Sequence, residues 1–302
     1  MSPEAACYIG TSGWSYPTGE GTWKGFFYPA GTKNELEYYS LFFNAVEVNS
    51  SFYRPPAPGY ARNWARRVPA DFRFSVKLWQ KFTHPKMYRL ATGEMAAIAQ
   101  ADVDTFRGSL DPLAGQGKLG VLLAQFPPSF KNEERSRDII SAIANAFHDY
   151  PLAVELRHRS WSDDDTTADF LRGQDITWVR IDEPKFGTSI AGDVPVTAGI
   201  AYFRYHGRTA KEWWTGDSAT RYRYLYPPDE ITELGNDIRA TREKVSLLFA
   251  FFNNHWQAYA PRNATDLKRA LKIPAQDFQM QLSIPKTESH RNGEGSEPER
   301  AG

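Results

Sequence analysis

The chain is poor in several things that would narrow its role at once. It has one cysteine, Cys7. No disulfide can form within it, and a structural zinc site built on several cysteines is excluded. That usage fits a reducing compartment, and Cys7 itself reads as a small apolar residue at the opening of a strand. Net charge is also missing: 36 Lys and Arg balance 36 Asp and Glu, so no global field draws the chain to nucleic acid or to an anionic membrane. No run approaches the roughly 18 apolar residues that span a bilayer. Residues 1–6 show no basic stretch leading into an apolar one, as a secretory signal would. The expected location is therefore the cytoplasm, with no membrane partner. Gly-x-Ser-x-Gly, Walker and His-Glu-x-x-His motifs are absent, so nothing supports a serine hydrolase, a nucleoside triphosphatase or a zincin.

What the chain does hold is an unusual share of aromatics, 14% with nine Trp, within an ordinary 41% hydrophobic and 24% charged composition. Eight short strand-like runs can be read, at residues 8–12, 45–49, 73–77, 120–126, 152–157, 177–182, 201–206 and 246–253. Helical patterns lie between most of them, at 34–43, 59–67, 94–110, 132–147, 163–172 and 229–244, with a last one at 263–271. The segment 183–199 after the sixth strand is irregular, so the sixth helix is weak or missing. Alternation of strand and helix predicts a parallel sheet, and eight repeats predict closure. The doubly wound alternative needs a Gly-x-Gly-x-x-Gly turn after the first strand, and GTSGW at 10–14 is not one. The expected fold is α/β, a single (β/α)8 barrel of the TIM type over residues 1–284. Residues 285–302 are polar and unpatterned and are expected to be a disordered tail.

Strands of a parallel barrel usually read as continuous apolar runs. These alternate instead. Glu47 and Asn49 alternate with Val46 and Val48, Ser75 and Lys77 with Phe74 and Val76, and Glu155 and Arg157 with Val154 and Leu156. Arg180 and Asp182 alternate with Val179 and Ile181, and Arg204 and His206 with Phe203 and Tyr205. A period of two puts each polar set on one face. If the apolar set meets the outer helices, the polar set points into the barrel near the carboxyl ends of the strands, where barrel enzymes build their sites. The competing account is a structural ion-pair network. Such networks rarely stabilise better than an apolar core, which favours a functional pocket.

These same segments resemble the YecE-like family, a domain-of-unknown-function family of TIM-type barrels. The runs that carry the resemblance are YIGTSGWSY at 8–16, WKGFFYP at 23–29, FNAVEVNSSFYRPP at 43–56 and FRFSVK at 72–77. After Thr83-His84 follow LLAQFPPSF at 122–130, AVELRHRSW at 153–161, YFRYHGR at 202–208 and FFNNHWQAYAPRNA at 251–264. They occur in order over roughly residues 7–273. The resemblance implies a TIM-type barrel and supplies no established reaction.

For the chemistry, Glu47, Glu155 and Lys77 are the expected catalytic groups, with the two carboxylates as a general acid–base pair. Four inward basic residues against three inward carboxylates suggest an anionic, phosphorylated or carboxylated, small molecule turned over by a hydrolase or lyase. Its expected contacts are Asn49, Tyr53, Arg54, Gln125, Arg157, Trp161, Arg180, Asp182, Arg204, His206, Arg208, Asn253 and Asn254. Arg208 is placed to clamp a phosphate or carboxylate in two-pronged fashion. No cofactor is expected. Glu47, Glu155, His158, Asp182 and His206 are possible metal ligands, but they lack ligand spacing and have arginine neighbours, so no metal is expected.

Aromatics crowd the loops: Trp14, Tyr16, Trp23, Phe52, Tyr53, Trp79, Trp161, Trp213, Trp214 and Trp256. With Arg54, Arg62, Arg66 and Arg67 they leave open a nucleic-acid-binding barrel, which the neutral net charge does not favour. A ligand-binding protein without catalysis is the third alternative. Oligomeric state is not legible here.

Overall fold

A computed structural model describes residues 5–94, 98–190, 193–211, 213 and 221–278. The expected barrel is present. Its strands are β1 (Ala6–Ser12), β2 (Ala45–Val48), β3 (Arg73–Lys77), β4 (Leu119–Gln125), β5 (Leu152–Glu155), β6 (Thr177–Trp178), β7 (Arg180–Asp182), β8 (Ile200–Tyr205) and β9 (Leu247–Phe252). They form one sheet in the order β6-β5-β4-β3-β2-β1-β9-β8-β7, and every pairing in it is parallel. The sixth predicted run is split at Val179, whose N–H donates to Val154 O at 3.0 Å. Its first half pairs with β5 and its second with β8, so the chain itself joins the two edges of a nearly closed barrel.

Around it lie α1 (Glu35–Tyr39), α2 (Pro58–Arg66), α3 (Gln80–Thr83), α4 (Pro85–Thr92), α5 (Gln100–Ala114), α6 (Glu134–Ala146), α7 (Thr166–Arg172), α8 (Pro228–Arg242) and α9 (Tyr259–Ala270). Proline opens α2, α4 and α8, where its missing N–H is one of the unpaired donors anyway. In α8, Asp229 and Glu230 occupy the first turn and Arg239 and Arg242 the last, complementing the helix dipole. The pattern expected at 94–110 begins later, at Gln100, and α3 and α4 precede it. Gly93, at φ +78°, ends α4 in the left-handed conformation that favours glycine. No helix lies among the described residues between β7 and β8. The expected tail, 285–302, lies outside the described residues. No helix among the described residues is long and apolar enough to cross a membrane.

Two buried apolar clusters show which face of each strand is which. The larger holds Val46, Val48, Phe74, Val76, Val154, Leu156, Phe203 and Tyr205 together with the helices. The smaller fills the amino-terminal half of the barrel with Val121, Leu123, Ala153, Val179, Tyr202, Phe249 and Phe251. Tyr8 stacks on Phe249 at 5.0 Å, and Tyr202 lies 5.4 Å from Phe251, closing the floor with aromatic rings. The alternation therefore places Glu47, Ser75, Lys77, Glu155 and Arg204 inward as expected. It fails on the sixth strand. There Val179 belongs to the inner cluster and Ile181 packs against it, so Arg180 and Asp182 point outward, and the first inward polar side chain is Glu183.

Candidate functional site

Above the aromatic floor, polar side chains from several strands replace the apolar ones: Ser12, Glu47 and Ser75 lie side by side in register, as do Gln125 and Glu155. Arg204 on β8 is the hub. Its Nε donates to Glu47 Oε2 at 2.9 Å and its Nη2 to Glu47 Oε1 at 2.8 Å. Its Nη1 pairs with Glu155 and donates to Gln125 Oε1 at 3.2 Å. Glu47 also accepts from Ser12 Oγ and Tyr202 OH, both at 2.8 Å, and Tyr202 OH meets Ser75 Oγ at 2.7 Å. Burial pushes the Glu47 carboxyl up, but Arg204 and these hydrogen bonds outweigh it and hold the group below its ordinary value.

Glu155 is fixed in the same way. It accepts from Arg157 Nε at 2.6 Å. Against the cost of burial, Arg157 and Arg204 hold it well below the carboxylate range. Arg157 reaches on to Glu183, 3.3 Å away, and to His206 Nε2 at 3.3 Å, while Asn253 Nδ2 faces His206 Nδ1 at 3.0 Å. Burial lowers His206 to about 4, so its ring is neutral. Burial instead raises Glu183, more than Arg157 lowers it.

Over this layer opens a cavity of about 590 Å³, lined by Gly13, Trp14, Tyr16, Asn49, Phe52, Tyr53, Lys77, Gln125, Arg204, Tyr222, Asn253 and His255. Neither Glu47 nor Glu155 lines it; both lie beneath, behind Arg204. Lys77 does line it. No hydrogen bond or ion pair ties its Nζ among the described residues, and it stands over the Phe52 ring, 4.1 Å from the centroid. Burial first, and Arg204 second, lower Lys77 to about 7, so the neutral amine is available at neutral pH. Two buried lysines differ from it. Lys118 Nζ donates to Ala65 O and Val68 O, and Lys268 Nζ donates to Phe42 O.

At the mouth, Tyr16 stacks on His255 at 4.6 Å, and Tyr222 lies 5.3 Å from the same ring. Burial holds His255 at about 4. Asn49 Oδ1 is buried and without a partner.

The remaining expected residues divide by position. Arg180 pairs with Asp237 of α8 and donates from Nε to Val194 O at 3.0 Å. Asp182 accepts from Arg208 Nη2 and Tyr226 OH, both at 2.7 Å. Arg208 lies among Asp182, Glu230 and Glu233, so three carboxylates already occupy the fork expected to clamp an anion. Its turn needs Gly207, at φ +91°, where a Cβ would stand 2.5 Å from Tyr224 Cβ.

Trp161 is fully buried under the Phe126–Phe130 loop, with Nε1 donating to Phe130 O at 2.9 Å. Asn254 binds Tyr224 O and Asn263, which positions the loop carrying Tyr222. Tyr53 is exposed on the rim, with Arg54 exposed beside it. Trp23, Trp213 and Trp256 are buried in loop packing, and Trp214 lies outside the described residues. The inward set is thus three carboxylates, Glu47, Glu155 and Glu183, against Lys77, Arg157 and Arg204. Arg180 and Asp182 leave the expected inner set together, so the excess of cations disappears only because Glu183 joins it beside Arg157. No group of three or more potential metal-ligating side chains gathers among the described residues.

Sequence reasoning missed Ser12, Tyr202, Glu183, Tyr222 and His255. Glu183 was legible as the continuation of the Val179–Ile181 parity. The others lie on an apolar-looking strand face or in loops, with no periodic signal.

Comparison with known proteins gives a consistent picture. Residues 8–289 match the family described as protein of unknown function DUF72. The UPF0759 protein YunF of Bacillus subtilis is 27% identical over 282 residues, covering 88% of this chain and 95% of that protein. The UPF0759 protein YecE of Escherichia coli K12 is 30% identical over 155 residues, about half of each chain. Among solved structures, a DUF72 family protein of Thermotoga maritima is 34% identical, with a TM-score of 0.77, covering 88% of this chain and 99% of that one. One from Enterococcus faecalis shares the fold at 23% identity, with a TM-score of 0.78 over 90% of this chain and 98% of its own.

Proposed function

The chain belongs to the DUF72 family of proteins of unknown function, and from that premise we propose that it is an enzyme that moves a proton at Lys77 on a small, anionic or electron-rich polar substrate. The reaction class is that of a lyase or an isomerase: abstraction of a proton from carbon, with the substrate seated between the polar floor and the aromatic mouth. The observation that carries this reading is the lone amine. Glu47, Glu155, Arg157 and Arg204 are all committed to one another, whereas Lys77 faces the cavity uncommitted. A general base works best when its pKa lies near the working pH, and Lys77 at about 7 meets that condition. Glu47 and Glu155 then act as positioning residues. They hold Arg204 so that its edge faces the cavity, and their negative charge offsets part of the cost of burying the cations. The cavity presents Lys77, Arg204 and the amides of Asn49, Gln125 and Asn253, which suits carboxylate, phosphate or sugar oxygens.

The test is deuterium wash-in. Panels of hydroxy acids, keto acids and sugar phosphates are incubated with the protein in D2O and followed by proton NMR. The expected result is exchange at one carbon by the natural protein and none by Lys77→Met. Exchange that survives in Lys77→Met, or its absence across panels that demonstrably bind, would overturn the reading.

A second reading has one observation in its favour. A groove adjoins the mouth at Trp14 and is lined by Lys24, Lys33, Tyr60, Trp64 and Arg67 among others. Arg54, Arg62 and Arg66 nearby have no carboxylate partner among the described residues. Such a surface suits a single-stranded nucleic acid. Affinity for an oligonucleotide that falls steeply with salt would support it, and no binding at low salt would remove it.

A further inference from the structure

We propose that Lys77 is a covalent nucleophile as well as a base: its Nζ condenses with an aldehyde or ketone carbon in the cavity to form an iminium ion. The inference rests on the reading of Lys77 just given and names the substrate class, a small carbonyl compound with an anionic or hydroxylated tail.

Three features of the site carry it. The amine lies at the end of β3 with one side covered by the Phe52 ring, 4.1 Å away, and the other open to the cavity. A carbonyl carbon can therefore reach the amine from the cavity side. The charge that develops on condensation stays where a cation is already stabilised. Glu155 and Glu47 act on Nζ through space, and the ring face stabilises a cation above it. Both carboxylates are locked by Arg204 and Arg157, so they stabilise the iminium without moving to neutralise it. Beside Lys77, the unpartnered Asn49 Oδ1 and the Gln125 amide can hydrogen-bond the hydroxyls of a substrate while the amine holds its carbonyl carbon.

The step balances without a further reagent. Lys77 first loses one proton to solvent, and its lone pair forms the C–N bond while the carbonyl π pair moves to oxygen. Oxygen takes one proton, and the nitrogen loses one as the neutral carbinolamine forms. The carbinolamine hydroxyl then takes another proton and leaves as water, and the nitrogen, still carrying one hydrogen, becomes the positively charged iminium. No oxidation occurs. The iminium withdraws electrons from the adjacent carbon, whose proton then passes to water in the cavity, since the nitrogen of the iminium has no lone pair left to take it.

Reductive trapping tests this. The full-length protein is incubated with glyoxylate and with glycolaldehyde, reduced with cyanoborohydride, digested and mapped by mass spectrometry, with the other lysines as internal competitors. The expected result is an adduct that appears first at Lys77 and is lost in both Lys77→Arg and Lys77→Met, each checked for folding by circular dichroism. Lys77→Arg keeps the charge and cannot form an iminium. Adducts spread over exposed lysines, or none at Lys77, would overturn the proposal. If trapping fails while deuterium wash-in persists, the amine acts as a base alone. If both fail, the reading of the site falls with it.

Discussion

Arg204 and Glu47 face each other as fork to fork across the inside of the barrel, with Nε and Nη2 at 2.9 and 2.8 Å from the two carboxylate oxygens and both side chains out of contact with solvent. Strands β1 and β9 lie between the strands that carry them, so the pair ties opposite parts of the wall together. Removing one partner of such a pair leaves a buried charge uncompensated, which costs about 3–5 kcal/mol. Arg204→Met leaves Glu47 without a cationic partner and takes from Glu155 one of its two arginines, whereas Glu47→Gln leaves Arg204 still paired with Glu155. Urea unfolding is therefore expected to show a larger loss for Arg204→Met than for Glu47→Gln. The double variant should lose less than the sum of the two.

Lys77 sits in the cavity at a cost to stability. Its folded pKa of about 7 lies below the ordinary 10.5, so between these values the unfolded chain binds more protons than the folded one. Stability from this group therefore rises as the pH rises from about 7 to 10.5 and is lower below that window. Lys77→Met removes the buried charge and is expected to raise stability by about 1 kcal/mol at neutral pH while abolishing activity, the usual trade at a functional site. Urea midpoints at pH 7 and pH 10 should differ less for the variant than for the natural protein.

Acid acts on a different set. His84, His206 and His255 are each lowered by burial from 6.5 to about 4. Between those values they are neutral when folded and charged when unfolded, so stability falls as the pH drops from about 6.5 to about 4. Glu47 and Glu155, held low, begin to contribute to the loss only below their ordinary 4.5. Near pH 5 these rings are expected to take up protons on unfolding, offset in part by carboxyls that burial raises, Glu183 among them; replacing His206 and His255 by Gln is expected to lower the slope of unfolding free energy against pH there. An unchanged slope in that double variant would show that these rings are not buried neutral.

Much of the barrel could be read from the chain because its strands repeat a period of two between helical segments, and those signals are local. β3 is read to the residue, and Glu47, Lys77, Glu155, Arg157 and Arg204 are read to the correct face. What parity alone cannot say is which of the two faces is the inner one. On four of the five alternating strands the polar residues marked it correctly, but on the sixth strand the outward positions are the polar ones, because α8 offers Asp237 to Arg180, and Arg208 and Tyr226 reach Asp182. Those partners lie between 26 and 57 residues away in sequence, beyond any local pattern. The same distance effect hid Tyr222 and His255, which meet over the mouth only because Asn254 and Asn263 bind their loops together.

The division into inner and outer charges can be tested through Lys77 itself. Glu155 acts on Nζ through the low-dielectric interior and raises its pKa, so Glu155→Gln is expected to push the amine below about 7. Arg180 carries a full charge on a neighbouring stretch of wall but faces α8. With the strand and its apolar packing in between, Arg180→Met is expected to leave the Lys77 titration unchanged while costing about 1 kcal/mol of stability from the lost contact with Asp237. The readout is the pH dependence of the reductive methylation rate at Lys77, followed by mass spectrometry. The rate tracks the neutral fraction of the amine, so Glu155→Gln should shift the curve to lower pH and Arg180→Met should superimpose on the natural protein. If Arg180→Met moved the curve as far as Glu155→Gln, its charge would be acting inside the barrel. The account of a balanced inner layer in which Lys77 is the uncommitted charge among the described residues would then be wrong.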